Sequence, residues 1–71
     1  MPPLSLDLKP AEAITLAMKK EQQAAELYAG LAARAIDPGL RDVFHNLENM
    51  ERGHKVRLEN TMLEIGFPEV F

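Results

Sequence analysis

The sequence predicts an all-α fold, an antiparallel two-helix hairpin that pairs with a second copy to make a four-helix bundle. Three observations carry this expectation. Two stretches of strong helix formers are separated by a single internal break, Asp37-Pro38-Gly39. Apolar residues recur at helical spacing in both stretches. The apolar arc of the first stretch is also too wide for one neighbouring helix to cover.

The chain has 71 residues, room for one small domain. A core of that size supplies only a few kcal/mol, and domains below about 70–80 residues usually need a staple. There is no Cys, so a disulfide, a thiolate zinc site and an iron–sulfur cluster are all excluded. Self-association and a metal held by His and carboxylates are the staples left. The formal net charge is −3, from 8 basic and 11 acidic residues. Lys19 and Lys20 are followed at once by Glu21, so no basic patch points to nucleic acid. No apolar run approaches the roughly 18 residues of a membrane span. The start, Met1-Pro2-Pro3-Leu4-Ser5, lacks the basic n-region and long apolar core of a signal peptide. The expected location is the cytoplasm.

Residues 1–9 read as an extended N-terminal arm. Pro2 and Pro3 disfavour helix, and Leu4, Leu6 and Leu8 alternate with polar residues. Pro10 suits the first helical position, where a missing N–H is harmless. From Ala11 to about Ala35 the composition is Ala, Glu, Lys, Gln, Leu and Met, all good helix formers. Asp37 is a good N-cap and Pro38 a good N1 residue for a second helix running to about Ile65. Gly66 suits the left-handed position after a helix, and Pro68 prevents continuation. The hairpin therefore occupies residues 10–66. Residues 67–71, Phe67-Pro68-Glu69-Val70-Phe71, form an apolar tail expected to dock on something. Each arm of about 25 residues is about 40 Å long.

On the second helix one face carries Leu40, Val43, Phe44, Leu47, Met50, Leu58, Met62 and Ile65. On the first, Ile14, Met18, Ala25, Ala32 and Ile36 share a face, and Leu16, Leu27 and Leu31 with Ala13 and Ala24 make a second apolar flank. Two helices cannot bury both, which is why a second copy is expected.

Glu21, Glu51 and His54 stand inside these stripes, where carboxylates are rare unless they are paired or bind a metal. Glu51 and His54 form Glu-x-x-His, which puts both side chains on one face of one turn. By itself that pair carries little, since helices are rich in Glu. The set is more telling. A hairpin offers Glu21 from one helix and Glu51 with His54 from the other, and a two-fold partner doubles this to four carboxylates and two imidazoles. Two divalent cations balance that charge, which would otherwise be prohibitive in a dry bundle. The ligand arithmetic is that of di-iron and di-manganese carboxylate bundles. Tyr28 lies on the same stripe as Glu21, either as a core aromatic with one hydrogen-bond partner or as a donor or redox-active phenol beside the ligands. Glu48, one turn before Glu51 at the rim of the stripe, reads as a solvated residue or as a carboxylate on the path by which metal enters. His45 points away from the stripe. Met18, Met50 and Met62 have core spacing and read as packing residues.

With these residues assembled, the chain resembles the ferritin-like superfamily, specifically its rubrerythrin-type and encapsulated-ferritin-type members. Glu21-x6-Tyr28, the Asp37-Pro38 break and Glu51-x-x-His54 carry the resemblance, with a separation of 30 residues from Glu21 to Glu51 and coverage from about Ile14 to Ile65. The resemblance implies a ferritin-like four-helix bundle with a di-iron carboxylate site that reacts with dioxygen or peroxide. It implies iron ligation by Glu21, Glu51 and His54, with Glu51 bridging and Tyr28 nearby. Because the chain holds one half of the ligand set, as in the encapsulated type, the site would form between two subunits. A protein compartment as the location, an encapsulating shell and an external electron donor are further implied partners, the last because rubredoxin-type delivery needs Cys.

The leading expectation is a ferroxidase-type oxidoreductase that oxidises Fe(II) with O2 or H2O2. Oxygen and imidazole ligands suit iron, with manganese as the other candidate, better than structural zinc. Two alternatives are an iron-sequestering module without turnover and a metal-free oligomerisation hairpin.

Overall fold

The computed structural model describes residues 9–66; residues 1–8 of the expected arm over 1–9, and the tail over residues 67–71, lie outside them. Two helices make up the described chain, α1 (Pro10–Arg34) and α2 (Pro38–Glu64), packed side by side as a hairpin. No strand occurs among the described residues.

The ends of the helices follow from local chemistry. Pro10 opens α1 behind Lys9, whose side chain makes no capping bond. α2 starts more firmly, because Asp37 Oδ2 accepts from the Leu40 amide at 2.8 Å and Pro38 occupies the first turn. A residue before proline is pushed out of the helical region, and Asp37 is extended (φ −71°, ψ 123°). Ala35 is extended too (φ −71°, ψ 124°), so α1 stops at Arg34. Arg41 secures the corner by donating to the Ala35 carbonyl from Nε at 3.3 Å and Nη2 at 3.0 Å. At the far end Gly66 takes φ 83°, a left-handed conformation that costs glycine nothing, and its amide donates to Leu63 O at 3.1 Å.

The core is a single seam. Met18, Ala25 and Ala32 of α1 are buried at a seven-residue interval, and Met62 is the buried residue of α2. Ile14, Glu21 and Tyr28 fill the intervening positions of the same seam and are half-buried. This alternation of three and four residues is the pattern of helices packed along a shallow crossing. Alanine at 25 and 32 lets α2 lie close beside α1.

One expectation for the apolar stripes is corrected. Ile36 does not belong to the face of α1; it lies in the corner beyond the helix and is 92% exposed, because the extended Ala35 turns the chain away before it. On α2, Leu40, Val43 and Met50 are about half-exposed, and so is Ile65 just past its end. One neighbour covers only part of an arc that wide, and within a single hairpin α1 covers the side carrying Phe44, Leu58 and Met62.

Candidate metal centre

The seam is interrupted midway by charge. Glu21 follows Met18 by three residues and precedes Ala25 by four, so its carboxylate leaves α1 at a packing position. In antiparallel α2 the same level is reached by Glu51, and His54 stands one turn further along. The three side chains converge, with a ligand-type atom from each within 4.8 Å of the others. His54 Nδ1 is 3.0 Å from Glu51 Oε1 and 3.4 Å from Glu21 Oε2. The first contact is aligned as a hydrogen bond and the second is not. Glu21 Oε2 is consequently a buried carboxylate oxygen without a hydrogen-bond partner.

The electrostatics follow from that geometry. The facing Glu51 carboxyl raises Glu21 above its ordinary value of 4.5, and burial raises it further, while His54 acts in the opposite direction. Two carboxylates sharing one site disfavour each other's ionisation unless a positive charge sits between them. The donor set and the orphaned oxygen both suit a divalent cation. Two carboxylates and an imidazole are ligands for iron or manganese, and Glu21 Oε2 has a free coordination position but no proton donor. Glu21, Glu51 and His54 are the residues that could hold such an ion. The cluster opens to one side: the His54 side chain is 42% exposed, against 17% for Glu51.

Residues 3–62 match the rubrerythrin family model. The chain belongs to the rubrerythrin family. No curated protein and no solved structure matches it. Rubrerythrin-family domains are di-iron carboxylate proteins that typically bind iron, and in this chain the Glu21–Glu51–His54 group has the composition to hold metal. No helix among the described residues is long and apolar enough to cross a membrane.

The other singled-out residues lie around this rubrerythrin-type cluster. Tyr28 is half-buried on the seam, two turns beyond Glu21. Glu48 stands outside the three-residue group. Its Oε2 accepts from Arg52 Nε at 2.9 Å and pairs with Arg52 Nη2 at 2.9 Å, and its Oε1 is 3.6 Å from His45 Nδ1. The Arg52 hydrogen bond holds the Glu48 carboxyl below its ordinary value. His45 is exposed, as its position on the helix implies.

A polar network not singled out from the sequence runs along the other side of the seam. Lys55 Nζ donates to Gln22 Oε1 at 3.2 Å across the two helices, and Gln22 Nε2 donates to Glu26 Oε2 at 2.9 Å. Its sequence signal was present: Gln22 follows Glu21 directly, Lys55 follows His54 directly, and each pair straddles the seam.

Proposed function

We propose that this chain is a di-iron carboxylate protein with ferroxidase-type activity, oxidising Fe(II) with O2 or H2O2 at a site completed by a second copy of itself. The observation that carries the reading is the convergence of Glu21, Glu51 and His54, with one carboxylate oxygen buried and unpartnered. The side to which the cluster opens supports the two-copy site. At about 100° per residue, Ala17, Ala24 and Leu31 of α1 and Val43, Leu47 and Met50 of α2 fall on the flank to which His54 is exposed. A two-fold partner on this flank would cover those apolar side chains and bring a second set of ligands opposite the first.

The residues have separable tasks. Glu21 and Glu51 supply negative charge from opposite helices, so cation binding relieves the repulsion between them. His54 presents Nδ1 to the cluster, where its lone pair would bind a metal in place of the bond to Glu51. The apolar flank excludes water once covered, which strengthens every charge interaction inside. Tyr28, on the same seam, would serve as a hydrogen-bond donor beside the ligands. Iron would supply the redox chemistry: two Fe(II) ions would each give one electron, which with two protons would reduce O2 to H2O2, or H2O2 to two water molecules.

An anaerobic Fe(II) titration followed by air exposure tests this, with absorbance and assembled mass read together. Saturation near one iron per chain in a dimer, with oxidation faster than that of free Fe(II) in the same buffer, is the expected result. Glu51→Ala should lose the oxidation while helical circular dichroism survives. Full activity in that variant would sink the assignment, and saturable uptake without faster oxidation would favour iron sequestration without turnover.

A further inference from the structure

The polar side of the seam contains a lysine in an unexpected pairing. Lys55 lies four residues after Glu51, and Glu followed by Lys at that interval is the favourable orientation for an ion pair on a helix. Glu59, four residues on, is a second acid within helical reach. Lys55 uses neither: among the described residues no carboxylate oxygen lies within 4.0 Å of its ammonium. Its hydrogen bond goes instead to the neutral amide oxygen of Gln22, across the seam, at 3.2 Å. The amide is in turn oriented by Glu26, which accepts from Gln22 Nε2 at 2.9 Å and so leaves Oε1 turned toward α2.

We infer that Gln22 is a positioning residue that holds Lys55 away from Glu51 and so keeps the Glu51 carboxylate available to a cation. The inference rests on the metal reading of the Glu21–Glu51–His54 group and adds a role for two residues outside it. The physical argument is competition. An ammonium and a divalent cation both seek the Glu51 carboxylate, and Lys55 is close enough along the helix to reach it by changing rotamer. An ion pair there would occupy a ligand and place a positive charge beside the incoming metal. The Gln22 amide offers Lys55 an acceptor that satisfies one of its donors on the far side of the seam, and the Glu26 carboxylate beyond the amide favours the charge staying there.

The arrangement makes a prediction that simple packing does not. Removing Gln22 should free Lys55 to pair with Glu51 and weaken metal binding, and removing Lys55 as well should restore it. The probe is Co(II), whose d–d absorption reports binding without redox turnover. Gln22→Ala should weaken Co(II) binding about fivefold, the upper end of the worth of an ion pair of this exposure. Gln22→Ala/Lys55→Met should return to wild-type affinity or better, and Gln22→Glu, which still offers Lys55 an acceptor, should retain it. A crystal structure of metal-free Gln22→Ala gives a readout that needs no metal, and should place Lys55 Nζ within 4.0 Å of a Glu51 oxygen. The inference is overturned if Lys55 stays clear of Glu51 in that structure. It is also overturned if the double variant binds as weakly as Gln22→Ala, since Gln22 would then act through packing. A wild-type chain with no saturable Co(II) uptake overturns the metal reading itself, and with it the purpose assigned to Gln22. The metal-free structure still decides separately whether Gln22 restrains Lys55.

Discussion

The two flanks of the hairpin seam are built to opposite rules. On one flank Gln22, Glu26, Glu48, Arg52 and Lys55 satisfy one another through side-chain hydrogen bonds and an ion pair. On the other, Leu47 and the half-exposed Val43 and Met50 border Glu21, Glu51 and His54, and Glu21 Oε2 has no hydrogen-bond partner. The first flank is complete within one chain. The second carries exposed apolar side chains beside a carboxylate oxygen without a hydrogen-bond partner, and it is this pairing that supports the proposed metal and second subunit. What separates them is whether the polar side chains bond one another within the chain.

The largest effect expected from this comparison is on stability with metal. An ion that binds only the folded chain raises its stability by about 2.7 kcal/mol at one hundred times its Kd, or about 10–20 °C in melting temperature for a chain of this size. Calorimetry with Mn(II) or anaerobic Fe(II) should show the rise in the wild type and lose it in Glu51→Gln. An unchanged melting point at saturating metal would favour the metal-free oligomerisation hairpin.

Next in size is assembly. Met50→Glu puts a charge on the open flank and should weaken self-association at least about tenfold in sedimentation equilibrium. Arg52→Ala on the closed flank should leave the assembled mass unchanged. Equal effects from both would erase the distinction between the flanks.

A smaller effect concerns pH in the metal-free chain. Glu21 is raised above its unfolded value, chiefly by the facing Glu51 carboxyl, so the folded chain holds that proton more tightly than the unfolded one. The resulting stability is fully present below the unfolded value near 4.5 and is lost as pH rises through the folded one. Glu21→Gln should therefore make the metal-free protein more stable at neutral pH and flatten this part of its pH profile, while abolishing the gain from metal. A variant that melts below wild type at neutral pH without metal would contradict the repulsion inferred between Glu21 and Glu51.

The smallest change belongs to the closed flank. Glu48 is held below its ordinary value by Arg52, so its contribution is present above the unfolded value and is lost as pH falls through the folded one. Arg52→Ala should remove that acid-side dependence and lower the melting temperature by about 2 °C or less, as exposed ion pairs contribute little. A drop as large as the metal effect would show that the network is a main support of the hairpin.

Much of this molecule was legible in its residues because its signals are local. Asp37 and Pro38 start a helix and Gly66 ends one through chemistry spanning four residues, and the structure has those caps. The spacing of Glu21, Glu51 and His54 within helical stripes singled out the three residues that converge. The misreading fell at a helix end, where the period alone does not say which turn is the last. Ile36 fits the period of α1 but falls past its last turn. Val43 and Met50 fit the period of α2 and stay half-exposed, since one neighbour covers only part of so wide a stripe.

The sequence by itself determined the helices, their break and which polar residues stand among apolar ones, because periodicity and capping act over a few residues. Only the tertiary structure decided which flank of each helix meets the other, that Lys55 bonds to Gln22 rather than to Glu51, and that Glu21 Oε2 is left without a partner. Each of these depends on distances between residues about thirty positions apart in the chain, and those distances exist only once the two helices have packed.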